Sequence, residues 1–384
     1  MSSLKRVLAV YPPEVGYARQ VLRGISLYSQ TRPDWVLIPC PSRVEDVRLA
    51  MTEKPDAVIG HLSHRRILEP IDRLGKPVVN TSNVLADLSY PRLGVDDFAI
   101  GAMGARYLLS RGFRRFAAYL LHDTNFAWDR LGGFRKVIEE AGFAVHVQPP
   151  VRREPQQGLS DRQSPCHETE QWLSSLPRPA AILSMTDNWA LTLLRACRAI
   201  GARVPDDFAV LGVDNDDMSE LTTPPLSSVQ PPCRTIGYRA AQLLHAILQG
   251  QSVPTEDIRI PPVRVVTRQS TDIEAIADEQ LAEAIRFIRK NAARNISVAD
   301  VAEAATLPRR TLEVRFKKVL GCTPLTGIHQ VQIERAKGLL ADTDLATEEI
   351  ARGVGFRGAR RLATVFRKLA GQTPSEFRRQ FRIG

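Results

Sequence analysis

One helical pattern is written twice near the C-terminus, and this repeat limits what the last hundred residues can fold into. Residues 296–324 read ISVADVAEAATLPRRTLEVRFKKVLGCTP, and residues 346–374 read ATEEIARGVGFRGARRLATVFRKLAGQTP. Leu312/Leu362, Phe316/Phe366, Lys318/Lys368, Gly321/Gly371 and Pro324/Pro374 recur at a spacing of fifty. Val301-Ala302 and Ile350-Ala351 sit forty-nine apart, so the second copy carries one extra residue in its turn. An in-register core with a one-residue loop change points to two copies of one supersecondary unit. Ser297 with Asp300 is a capping-box pattern. Val298, Val301 and Ala302 give a short apolar stripe, and Leu312 and Phe316 give a second one after the turn. Gly321 and Gly371 then stop their helices.

Helix, short turn and helix, at 297–320 and 347–370, is the arrangement whose second helix enters the major groove of DNA. The first second-helix presents Arg309, Arg310, Glu313, Arg315, Lys317 and Lys318. The other presents Arg357, Arg360, Arg361, Thr364, Arg367 and Lys368. A basic face alone fits simple solvation as well as DNA. The distribution of charge favours DNA: residues 285–384 hold 20 Lys+Arg against 9 Asp+Glu, a net of +11 in a chain whose total is +10. The excess positive charge lies wholly where a phosphate backbone would need it.

This double pattern resembles the DNA-binding domain of AraC-type transcription regulators. The second copy carries the resemblance through Ile350-Ala351, Gly355-Phe356, Leu362, Phe366-Arg367-Lys368, Gly371, Thr373-Pro374 and Phe377-Arg378. The first copy carries it through 312–317, LEVRFK. Segment 329–344 looks like the long helix joining the two motifs in that family, and a helix over 325–341 is expected. Pro308 and Ala346 stand where small hydroxyl residues usually cap.

Length leaves room for two or three domains in 384 residues. No apolar run approaches the roughly 20 residues that span a bilayer. After Lys5-Arg6 only VLAV precedes Tyr11-Pro12-Pro13, a strand and not a signal segment. The five cysteines lack metal or redox spacing, which fits a reducing cytoplasm. Residues 1–271 alternate strand-like runs (6–10, 35–39, 57–60, 78–79, 92–95, 115–120, 144–147, 181–184, 209–213, 227–229) with helical patterns (19–29, 98–111, 131–141, 189–200, 236–248). Such alternation argues for parallel sheets covered by helices. The number of strands predicts two α/β lobes with a cleft between them, then a polar linker at 272–280 and an all-α domain at 281–384.

Segment 93–121, LGVDDFAIGAMGARYLLSRGFRRFAAYLL, resembles the ligand-binding core of LacI/GalR-type repressors, a two-lobed fold of the periplasmic-sugar-binding-protein kind. DRLGGF from Asp129, SMTDNWAL from Ser184, VLGVDND from Val210 and the run 227–250 agree. That family normally carries its DNA-binding headpiece in front; here the helix-turn-helix pair follows instead. The resemblance implies a sugar-responsive transcription regulator, with D-xylose or a similar pentose as the expected effector. It places Asp214 and Arg130 on sugar hydroxyls and Asp187 at a strand end facing the cleft. Tyr17, Arg19 and Gln20 would lie on the opposite lobe, and Trp128 is a candidate stacking face. By residue type alone, Asp187 and Asp214 serve as well as helix caps, Arg130 as a surface residue, and Trp128 and Trp189 as core or rim. Asp96-Asp97 is read as the start of the helix at Phe98, and His61, His64 and His122 as rim or surface residues. Asp214–Asp217 lacks the glycine and glutamate of a calcium loop, so neither metal nor cofactor is expected.

No phosphate-cradling glycine loop or nucleophile elbow supports an enzyme, and a phosphorylated receiver domain would be about half as long as the first 271 residues. The expected partners are therefore a sugar, a second copy of the chain, DNA and, for an activator, RNA polymerase, in the cytoplasm on the nucleoid. DNA is expected to be read at two subsites one helical turn apart. Arg309, Arg310, Glu313 and Arg315 would face one of them, and Arg360, Arg361 and Thr364 the other.

Overall fold

The structure, a computed structural model, describes residues 4–148, 166–252, 254–272 and 278–382. The first lobe is built on a parallel sheet in the order Trp35–Cys40, Lys5–Val10, Ala57–Gly60, Val78–Asn80. A bridge from Asn80 to Arg92 continues it into the parallel pair Leu93–Val95 and Ile258–Ile260. The second lobe carries six strands, in the order Arg264–Val266, Ser227–Gln230, Phe208–Val213, Ala180–Ser184, Phe116–Tyr119, Val145–Gln148. All pair in parallel except the edge strand Arg264–Val266. Ala180–Ser184 and Phe208–Val213 are buried along their whole length, as unbroken apolar runs must be when helices cover both faces of a parallel sheet. The chain passes between lobes three times, at 95–97, 230–233 and 260–264. Ile258–Ile260 and Arg264–Val266 had no clear signal in the sequence, being three-residue strands whose residues, Ile260 apart, are exposed or half-buried.

In each lobe two helices cross backbone to backbone over glycine. Gly16–Gln30 crosses Cys233–Leu248 in the first lobe, where a Cβ on Gly24 would lie 2.0 Å from the Arg234 carbonyl and one on Gly237 would lie 1.9 Å from that of Val21. Asp97–Ser110 crosses Asn125–Glu140 in the second, where a Cβ on Gly101 would lie 1.8 Å from the Arg130 carbonyl and one on Gly133 would lie 1.9 Å from that of Phe98. Both helices of the second pair start earlier than the sequence pattern suggested, Asn125–Glu140 by six residues.

The C-terminal part is all α-helical. Glu279–Asn291 precedes the first helix-turn-helix, Val298–Ala304 and Arg309–Leu320. Pro324–Asp342 joins it to the second, Thr347–Gly353 and Ala359–Ala370, and Pro374–Phe381 follows. Ser297 and Asp300 form the expected capping box. Pro308 and Ala346 give no side-chain cap; Glu349 accepts instead from the Ala346 amide at 2.7 Å. The extra residue of the second motif falls in its turn, where Gly355 takes φ +96° against the Ala292 carbonyl. Buried Gln332, on the joining helix, donates to the Ala292 carbonyl (2.9 Å) and to that of Gly355 (3.3 Å), one amide tying the segment before the first motif to the turn of the second.

The first motif has its own core around Leu281, Val301, Leu312 and Phe316. The core of the second motif, with Ile350, Leu362, Phe366 and Phe381, is continuous with that of the two lobes. There Thr235 donates to the Phe381 carbonyl (2.6 Å), Arg239 donates to that of Gln380 (3.2 Å) and Arg264 pairs with Asp342 (3.3 Å). Residues 273–277, most of the expected linker, lie outside the described residues. No helix among the described residues is long and apolar enough to cross a membrane.

Candidate functional site

A cavity of about 810 Å³ lies between the lobes, at the carboxyl ends of their strands, where ligands bind in open α/β sheets. The glycine crossing of Asp97–Ser110 with Asn125–Glu140 brings Asp97 and Arg130 together, both buried, with Arg130 Nε donating to Asp97 Oδ1 at 2.8 Å. Arg130 also donates to the Met185 carbonyl, lies over the Phe126 ring at 4.8 Å and stands 3.9 Å from the Asp214 carboxylate. Asn83, from the first lobe, donates to Asp97 Oδ2 (2.8 Å) and Asp129 Oδ2 (3.0 Å), and its carbonyl accepts from the Phe126 amide (2.9 Å). Asp96 caps the helix, as read from the sequence, but Asp97 faces the cleft, a role the pairing with Asp96 concealed.

Asp214 and Asn215 both have positive φ, +111° and +50°, an unusual backbone for residues with side chains. The Asp214 carboxyl makes no hydrogen bond to the protein among the described residues. Burial pushes it up to about 8, opposed by Arg130 and supported by Asp187 and Asp97. Asp187 is different. It accepts from Ser219 Oγ (2.7 Å), Ser228 Oγ (2.7 Å) and the Asp216 amide (2.9 Å), so it fixes the loop that carries Asp214. Burial raises its carboxyl to about 6. Neither aspartate acts as a cap: Thr186 caps the helix Asp187–Ala199.

Tyr17 lines the cleft and donates to the Thr81 carbonyl (3.0 Å), and Arg19 reaches across the cleft to Asp216 at 3.0 Å. Gln20 does not line the cavity; it accepts from Arg234 Nε at 3.2 Å. Trp128 is also outside it, 45% exposed and donating to Asp123. The aromatic face belongs to Phe126 and Trp189, with rings 5.6 Å apart and 36° from parallel. His61 is in the wall as well, its Nδ1 buried without a protein partner and its pKa lowered to about 4, mainly by burial. The strand-end position of Trp189, two residues after Asp187, was the available signal. Carboxylates, an arginine and an aromatic pair are the groups that read hydroxyls and cover the apolar face of a sugar ring.

On the recognition helices, Arg310, Arg360, Arg361 and Thr364 are exposed. Arg309 pairs with Glu313 at 2.9 Å, and Arg315 is held by Asp278 at 3.0 Å, at the N-cap of Glu279–Asn291. Those three side chains are thus engaged within the protein.

A two-lobed cleft carried on the same chain as two helix-turn-helix motifs defines a sugar-sensing, DNA-binding transcription regulator. Residues 105–271 match the periplasmic binding protein-like domain, and residues 301–380 match the helix-turn-helix domain. The xylose operon regulatory protein of Escherichia coli K12 is 30% identical, over 97% of this chain and 96% of its own length. That of Haemophilus influenzae is 32% identical, over 94% and 95%. A solved structure of the xylose-binding transcription activator xylR covers 100% of both chains at 28% identity and a TM-score of 0.62. A LacI family regulator from Enterococcus faecium with bound ribose shares the fold of the lobes, with a TM-score of 0.57 at 22% identity over 71% of this chain. The chain belongs to the family of the xylose operon regulatory proteins.

Proposed function

We propose that this regulator responds to D-xylose or a closely similar pentose, bound between the lobes, and activates genes for its use. The observation that carries the reading is Asp214: a carboxyl 12% exposed, open to the cavity, 3.9 Å from Arg130 and in the same cavity wall as Phe126 and Trp189. Asp214 accepts sugar hydroxyls, His61 and Tyr17 complete the polar wall from the first lobe, and Asp187 and Asp97 hold the readers in place. The similarity to the xylose-binding activator xylR and to the xylose operon regulatory proteins supports xylose among the pentoses. The sensor spans 1–271 and the DNA-binding domain 281–384, joined at 272–280. Two copies form the working unit, meeting RNA polymerase on cytoplasmic DNA. Each chain occupies two subsites about 10–10.5 base pairs apart. The cleft binds without turnover.

A thermal-shift panel of monosaccharides tests this. A sugar that binds the folded state stabilises it by about 2.7 kcal/mol at a hundredfold excess over its Kd. D-xylose is expected to raise the melting temperature most. A larger shift with a hexose overturns the pentose assignment, and no shift with any sugar overturns the sensor.

A further inference from the structure

The two recognition helices present the same pair of outward groups. Arg310 is the second residue of Arg309–Leu320 and Arg360 the second of Ala359–Ala370. Four residues on, on the same helix face, stand Val314 and Thr364. Val314 is 62% exposed, the most exposed large apolar side chain of the C-terminal part, on a face that is otherwise charged. Core packing does not explain it, since Leu312 and Phe316 supply that. Thr364 is exposed too, but its hydroxyl donates to the Arg360 carbonyl at 3.0 Å. The polar atom is thus occupied on its own helix, and the methyl is what remains for a partner. With Arg309, Glu313 and Arg315 paired within the protein, the first motif offers Arg310 and the second Arg360 and Arg361, and one turn beyond Arg310 and Arg360 stands a branched methyl group.

We infer that Val314 and Thr364 are matched readers of a thymine methyl, one in each subsite, so that both subsites carry the same guanine and thymine. Arginine at the start of the helix takes the guanine edge, and an apolar group in the major groove contacts the C5-methyl that marks thymine. Four residues advance about 6 Å along the helix, close to two base-pair steps. The guanine and thymine then stand about two pairs apart in both subsites. This rests on the reading of both second helices as base readers, and the experiment separates the two.

A randomised duplex pool is enriched on the full-length protein, and the recovered sequence is then remade with deoxyuridine at single thymine positions. The expected recovery is two half-sites, each with guanine and thymine about two pairs apart. Removal of either methyl should weaken binding about fourfold, the roughly 0.8 kcal/mol of one buried methylene-sized group. Val314→Ala should lose the thymine preference of its own half-site only, and bind the deoxyuridine duplex as the unchanged protein does. Thr364→Val should keep the preference of the other half-site, whereas Thr364→Ser should lose it. Equal affinity for thymine and deoxyuridine duplexes, or retention by Thr364→Ser with loss in Thr364→Val, overturns the inference and leaves the base-reading helices standing. If no sequence is enriched at all, both fall.

Discussion

Asp214 is held in the cleft by a backbone that few side chains tolerate, and its carboxyl, ordinarily near 3.8, is pushed up to about 8 by burial. Between those values the folded chain keeps a proton that the unfolded chain releases, so this residue lowers stability as pH rises through the window. Asp214→Asn is therefore expected to melt increasingly above the unchanged protein from pH 6 to pH 8, and to bind sugar poorly. A pH-independent difference in melting temperature would contradict the assignment. Arg130 behaves in the opposite way. It holds Asp97 at 2.8 Å in a buried pair, and losing one partner of such a pair typically costs about 3–5 kcal/mol. Arg130→Ala should lose the sugar and also melt several degrees lower; calorimetry showing an unchanged melting point would make the pair dispensable. The cavity positions of Asp214 and Arg130 were legible only through the family resemblance, since residue type alone left a cap and a surface arginine equally open. Gln20 and Trp128 lie outside the cavity. With helices starting at Gly16 and Asn125, the period of 3.6 residues puts Phe126 and Arg130 on one face and Trp128 on the other.

At the scale of elements, the crossings over glycine set how near two helices come and hence where their side chains meet. Neighbouring glycines allow a clean contrast. A Cβ on Gly133 would lie 1.9 Å from the Phe98 carbonyl, whereas one on Gly132 would meet only the Phe98 ring at 3.7 Å. Gly133→Ala is expected to force the helices apart, lower the melting temperature and weaken sugar binding by separating Arg130 from Asp97. Gly132→Ala should be neutral or gain up to about 1 kcal/mol from helix propensity. Thermal melts of both variants decide it, and equal behaviour would contradict the crossing. This geometry was not legible from the sequence, which places GG in the helix without saying what it faces. The helix-turn-helix pair was fully legible, because a repeat shows its core positions twice and its one-residue difference once. Val314 was not legible in the same way, being a single exposed apolar residue on a helix face dominated by charge.

Across the whole molecule, the division of the cores separates two motifs that look alike in sequence. The second shares a continuous core with the lobes, and the first has its own. Sugar binding should therefore slow deuterium exchange more in Thr347–Gly353 and Ala359–Ala370 than in Val298–Ala304 and Arg309–Leu320. Equal protection of both motifs would show that the shared core carries no coupling. The joining helix Pro324–Asp342, 19 residues and about 28 Å at 1.5 Å per residue, would set the spacing of the two motifs on the proposed DNA site. Five base pairs inserted between the subsites turn them to opposite faces, so footprinting should lose one of them. The linking helix is more than a spacer, because the Gln332 amide answers a carbonyl from each side. Both carbonyls belong to the main chain, so exchanging the side chains around them leaves the bonds in place, whereas losing the glutamine strips two carbonyls of a donor at once. One side chain on the linking helix thus ties the turn of the second motif to the segment that leads into the first, and a change at position 332 would be felt at both ends.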